Sequence, residues 1–272
     1  MRTRIIVAAV TLPILLVVVF FAPLWLAAAL VGLVSAGCAW ELLRCTDLEA
    51  PARMLAYVAL CGFAIPFSLV FCDAGRVYFT ATLALFVLVF AELMLSFRDG
   101  QPMALGTVTN ALLAGSVMPV LMSAVVQLGQ REHGSVYMLL PFVIAFSSDS
   151  GAYFAGSYLG RHKLTPHLSP NKTIEGSIGG FIAAIALTAL YGLILKVAKL
   201  EVYMSVMCVY GFLGSLSCQL GDLGFSAIKR LSGVKDYGRL IPGHGGMLDR
   251  FDSMHWTAAL LLVLVNWVPA IW

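Results

Sequence analysis

At 272 residues, 60% apolar and 11% charged, with a mean hydropathy of +0.92, the chain is excluded from the soluble globular class, where roughly a quarter of residues carry charge. A formal net charge of +3 is too small to argue for a nucleic-acid partner. The six cysteines lie in or beside apolar runs with no Cys-x-x-Cys pair, so they read as small buried apolar residues and not as disulfides or metal ligands.

The basic start Met1-Arg-Thr-Arg4 precedes an apolar run that continues to about Phe21, and a second run follows at once; this reads as an uncleaved first membrane helix and not as a signal peptide. A spanning helix needs about 20 mainly apolar residues. By that measure the candidate spans lie near 5–22, 24–43, 54–72, 77–96, 105–127, 136–157, 177–198, 203–221 and 253–271. The first two are separated only by Ala22-Pro23, which leaves a re-entrant hairpin open for that pair. No internal repeat, low-complexity stretch or strand-like alternation interrupts the series, so the expected fold is all-α: a polytopic membrane helix bundle of about nine transmembrane helices in one domain. Residues 1–135 are expected to act mainly as scaffold and 136–272 as the catalytic half.

Lys and Arg in the short connections set the orientation. With the N-terminus inside, the inner segments carry Arg2, Arg4, Arg44, Arg53, Arg98, Arg161, Lys163, Lys172, Lys229, Arg230, Lys235, Arg239 and Arg250, against Arg76, Arg131, Lys196 and Lys199 outside. This ratio of thirteen to four puts the two longest polar stretches, 158–176 and 222–252, on the cytoplasmic side, where a nucleotide is available.

In the first of these regions, Asp149 stands inside the sixth apolar run, where an acid is expensive and usually has a partner. Further on, Ser169-Pro-Asn-Lys-Thr-Ile-Glu-Gly176 places Ser169, Lys172 and Thr173 just before a helix start, which favours anions. A plainly capped start to that helix explains the same residues equally well. In the second region, a short helix over 222–232, continuing from the eighth span, would set Asp222, Ser226 and Lys229 on one face at i, i+4 and i+7. That face offers a carboxylate, a hydroxyl and an ammonium, although an interfacial helix with a snorkelling lysine has the same pattern. Asp249 and Asp252 open the last span at i, i+3, with Arg250 between them. One acid suffices to cap a helix; two of them with Asp222 would make a hard-oxygen site suited to Mg²⁺. His244, Gly245 and Gly246 fall in a flexible turn whose backbone N–H groups could approach a phosphate, or which could simply turn the chain.

The 27 residues from Ser226 to Asp252 resemble the signature of the phosphatidate cytidylyltransferases, also called CDP-diacylglycerol synthases. Ser-x-x-Lys-Arg, a Lys-Asp pair at 235–236, and Pro-x-His-Gly-Gly-x-x-Asp-Arg-x-Asp all stand at the family's spacing. Asp149-Ser-Gly-Ala-Tyr and Ser169 to Gly176 are similar to the family too, with Ser150 where Thr is usual and Asn171 where Lys is usual. The resemblance implies transfer of CMP from CTP to phosphatidate, with pyrophosphate released and Mg²⁺, alone or with a second metal ion, as cofactor. Carried onto these residues, it puts Asp222, Asp249 and Asp252 on the metal, with Lys229 beside them in catalysis. Asp149, Ser169, Lys172, Thr173, Ser226, Arg230, Lys235, Asp236, His244, Gly245, Gly246 and Arg250 are then the substrate contacts. The compact form without a long soluble extension suits a bacterial inner membrane, and the charge distribution puts the site on its cytoplasmic face; a homodimer is left open. A CTP-dependent lipid-alcohol kinase and an ion-coupled transporter using Asp149 and Asp222 are the competing readings.

Overall fold

The structure is a computed structural model that describes residues 13–98, 100, 102–238 and 245–272. It shows an all-α polytopic membrane protein. Residues 13–21 are helical, and then come α1 (Leu24–Thr46), α2 (Ala52–Ser68), α3 (Ala74–Arg98), α4 (Leu105–Gly129), α5 (Gly134–Leu159), α6 (Ile174–Val197), α7 (Met204–Leu231) and α8 (Leu248–Trp267). Among the described residues, α1 and α3 to α7 are long and apolar enough to cross a membrane. α2 is apolar but has 17 residues. The first predicted span lies partly outside the described residues, and each of the others has its helix.

The segment 222–232 continues from the preceding span, as expected: α7 runs unbroken for 28 residues. It stops at a Schellman turn, in which Gly233 N–H reaches Arg230 O at 3.1 Å and Val234 N–H reaches Lys229 O at 3.0 Å, and Gly233 takes the required left-handed φ of 70°. α8 begins at Leu248, so Asp249 and Asp252 lie inside its first turns and neither is the N-cap. The polar stretch after α5 folds partly as an antiparallel hairpin, β1 (Lys163–Thr165) on β2 (Ser169–Thr173).

The chain divides into two compact units. One runs to Gln127 and takes in Ile228–Phe251. Its helices carry polar pairs that keep buried groups satisfied away from water: Glu92 accepts Tyr57 Oη–H at 3.1 Å and pairs with Arg53 at 3.2 Å, and Thr107 donates to Asp47. α4 widens into a π-turn at Leu113–Val117, just ahead of Pro119, which lacks an N–H and crowds the carbonyl one turn back.

The other unit holds Leu128–Ala227 and Asp252–Trp272. α5 and α6 pack closely because small residues face each other: a β-carbon at Gly151 would lie 2.7 Å from Gly179 O. The apolar core gathers Tyr137, Leu140, Ile144, Met207, Tyr210 and Leu261. The end of the chain is fastened to it by Tyr210 Oη–H, which donates to Val268 O at 2.5 Å, and by the Val202–Ile271 bridge.

Candidate active site

In the first unit the signature stretch folds around Asp249. The last turn of α7 presents Lys229, whose Nζ lies 2.8 Å from Asp249 Oδ1. The other carboxylate oxygen accepts two backbone N–H groups, Tyr237 at 2.9 Å and Gly246 at 3.1 Å. The Lys229 ammonium also stands 5.3 Å from the centre of the Tyr237 ring, within cation–π range. The Lys229 and Asp249 side chains are only 14% and 7% exposed, so this ion pair is nearly dry. Such a pair gives little net stability, but removing one partner strands a charge at a cost of about 3–5 kcal/mol. Arg230, Lys235, Asp236 and Arg250 are exposed around it. His244 lies outside the described residues.

A residue that sequence reasoning missed completes the arrangement. Glu41, near the end of α1 and fully buried, accepts the Leu248 N–H with Oε2 at 2.8 Å. The signal was present: Glu41 is an acid inside an apolar run, the same feature that singled out Asp149.

In the second unit, Lys172 on β2 reaches Asp222 on α7, with Nζ 2.5 Å from Oδ2. These side chains are 26% and 33% exposed, wetter than the first pair. Asp149 on α5 accepts the Cys218 thiol at 3.6 Å and feels the charges of Asp222 and Lys172. A hydrogen-bonded polar cluster adjoins them: Ser148 Oγ is 2.8 Å from Ser215 Oγ, Gln219 Nε2 donates to Ser215 Oγ and Ser177 O at 3.2 Å each, and Ser177 donates back to Gln219 Oε1. Sequence reading did not find Ser177 and Gln219, because uncharged polar residues in a membrane helix give no compositional signal.

Thr173 is the N-cap of α6, its Oγ1 accepting Gly176 N–H at 3.1 Å. Glu175 holds the turn before the hairpin by accepting the N–H groups of Arg161 and His162 at 3.1 and 3.2 Å. Thr173 and Glu175 thus follow the capping alternative. Ser169 and Lys172 project from the hairpin, and Ser226 is half-buried on α7. Asp252 is buried, with Oδ1 accepting Ser253 N–H at 2.6 Å.

Each unit thus holds a lysine on a carboxylate, and in the first the backbone of Gly246 lies beside the pair. The sequence profile of the cytidylyltransferase family matches residues 2–268. The chain belongs to that family. It is similar to the protein named phosphatidate cytidylyltransferase of Bacillus subtilis (strain 168), 45% identical over 135 residues covering 49% of each chain. It is also similar to proteins of that name from Staphylococcus aureus (strain COL), 46% identical over 140 residues, and Staphylococcus saprophyticus, 40% identical over 135 residues. In both cases the match covers 50% of this chain and 51% of the relative, so the chain spans about half the length of the relatives it matches.

Proposed function

We propose that this chain is a phosphatidate cytidylyltransferase, transferring CMP from CTP to phosphatidate to give CDP-diacylglycerol and pyrophosphate. The observation that carries the reading is the Lys229–Asp249 pair, because a merely solvated loop would not hold an ion pair at 14% and 7% side-chain exposure, clamped by two backbone N–H groups. Family membership and the names of the relatives support the same reaction.

In this reaction a phosphate oxygen of the lipid attacks the α-phosphorus of CTP. The bond from that phosphorus to the bridging oxygen breaks, and pyrophosphate leaves with the electron pair. The attacking oxygen is already anionic at neutral pH, so no strong general base is needed. The main task is to hold two anions together in line. Lys229, Arg230, Lys235 and Arg250 offset charge on the triphosphate and the lipid phosphate. Lys172 and Ser169 bind one of the two substrates from the hairpin. Asp149, Thr173, Ser226, Asp236, His244, Gly245 and Gly246 complete the proposed substrate contacts.

Mg²⁺ is the proposed cofactor, on the chemistry of the carboxylates. Asp222, Asp249 and Asp252 offer hard oxygens, and Asp222 keeps one carboxylate edge beyond its contact with Lys172. Among the described residues no three His, Cys, Asp or Glu side chains are gathered as a protein cage would require. Mg²⁺ takes one or two protein carboxylates and fills its shell with phosphate and water. We assign it to Asp222 and Asp249, supported by Asp252; when bound, the ion offsets triphosphate charge. The chain's own lysines pair with the same carboxylates, Lys172 with Asp222 and Lys229 with Asp249, and their proposed role is to turn to phosphate oxygens.

The site is proposed to face the cytoplasm of a bacterial inner membrane, on the charge distribution of the connections and the bacterial relatives. The test is incubation of the purified protein in lipid micelles with phosphatidate, Mg²⁺ and CTP labelled in the cytosine ring. Label appearing in a lipid product supports the reading, as does its loss on chelation. Label that stays in solution while the γ-phosphate enters lipid would instead identify a lipid kinase. Ion flux without CTP consumption would identify a transporter.

A further inference from the structure

Glu41 belongs to a helix far from the signature stretch in sequence, and no part of the mechanism above uses it. Its side chain is nonetheless the surface against which that stretch is moulded. A β-carbon added at Gly246 would lie 2.5 Å from Glu41 Oε2 and 2.9 Å from Cδ. One added at Gly238 would run into Oε1 and stand 2.8 Å from Cδ. Two glycines of the signature are thus required by the bulk of one carboxylate, and not only by the turn.

The hydrogen bond adds direction to this fit. Leu248 is the first residue of α8, and the first N–H groups of a helix have no partner within it. An N-cap side chain can satisfy one of the next two N–H groups, but the Met247 side chain carries no oxygen, and the Leu248 N–H needs an acceptor of its own. Glu41 Oε2 takes that role at 2.8 Å across 207 residues of sequence. The next residue is Asp249, whose Oδ2 accepts Gly246 N–H. Residues 246–248 are therefore held between two carboxylates, Glu41 on one side and Asp249 on the other. A buried acid is an expensive way to fill space in an apolar helix, so packing alone does not account for it.

We infer that Glu41 is a positioning residue: its carboxylate caps α8 from a distance and sets the place of Gly246 to Leu248, and through them the aim of Asp249 at Lys229. This rests on the cytidylyltransferase reading for its effect on turnover, but its effect on the loop is independent of any activity.

The experiment uses the full chain in micelles with Glu41→Gln, Glu41→Leu, Glu41→Ala, Gly246→Ala and the Glu41→Ala/Gly246→Ala pair. Three quantities are read: kcat and KM for CTP, the rate of trypsin cleavage after Lys235, and the thermal midpoint. Gln keeps the acceptor and the volume, and should retain most of the turnover and the protection. Leu keeps the volume but not the acceptor. It should lower kcat about a hundredfold, the order that an ångström of misplacement costs, with KM changed far less. It should also open the Lys235 site to trypsin. Gly246→Ala should be severe in the parent and cost clearly less once Glu41 is Ala, since the carboxylate it strikes is gone while the Gly238 nitrogen at 2.8 Å remains. Overturning results are a protected, active Glu41→Leu, a Gly246→Ala penalty equal in both backgrounds, or a kcat loss that merely follows the thermal midpoint while trypsin protection is unchanged. A parent protein that does not consume CTP would sink the functional reading, and the trypsin and coupling measurements would still decide the role of Glu41.

Discussion

Lys229 and Asp249 make opposite demands on stability and activity, and the difference is measurable. Breaking a nearly dry ion pair by removing one partner costs about 3–5 kcal/mol, whereas replacing both partners by apolar side chains is often close to neutral. Lys229→Met and Asp249→Leu should each lower the thermal midpoint, and the double variant should recover most of that loss. None of the three should turn over CTP, because the charges that face phosphate are gone. A double variant that regains activity along with stability would show that the pair only holds the fold. The Lys172–Asp222 pair is wetter, at 26% and 33% side-chain exposure, so Lys172→Met should move the midpoint by about 1 kcal/mol or less. Its effect should fall on the apparent affinity for substrate; an unchanged KM for both CTP and phosphatidate would remove Lys172 from the site.

The helices were legible in the sequence because lipid demands long apolar runs, and each run after the first has its helix close to where composition put it. What composition could not locate were ends and joints. The end of α7 is written in Gly233, whose left-handed conformation completes a Schellman turn. The start of α8 was placed late because Asp249, Arg250 and Asp252 break the apolar pattern while lying inside the helix. The hairpin at 163–173 is too short to show an alternating period. Of the site, single residues were visible and their pairing was not. Lys172 and Asp222 were both chosen from sequence, but their contact brings together segments 50 positions apart. Glu41 shows the reverse case: its partners lie 207 residues away, and a sequence window cannot see them. At this scale the α5–α6 contact supplies a test. Gly151→Val would drive side-chain atoms into Gly179 O, so the helices must part, at about 1–3 kcal/mol for overpacking. A lower thermal midpoint is expected, with activity falling as the hairpin that follows α5 shifts; an unchanged midpoint would refute the close packing.

For the molecule as a whole, the decisive asymmetry is that of charge: thirteen Lys and Arg residues on the side assigned to the cytoplasm and four on the other. This orientation is open to direct measurement. A cysteine introduced at Lys163 in the hairpin should react with a membrane-impermeant maleimide only after the bacterial inner membrane is opened, whereas one at Arg131, between α4 and α5, should react in spheroplasts. The opposite pattern would place the site on the outer face and leave it without access to CTP. The native thiol at Cys72 is exposed and would be replaced first.

α2 has one further consequence. Its 17 residues rise about 25 Å at 1.5 Å each, several ångströms short of a hydrocarbon layer of about 30 Å. Pro51 precedes its first residue, so the helix is not simply prolonged at that end. Lipid beside this flank must therefore dimple, at a fraction of a kcal/mol per ångström of mismatch. Reconstitution in bilayers of graded chain length should accordingly give greatest heat resistance in the thinner ones, and under the proposed reaction performance would be linked to the thickness of the membrane its products help build.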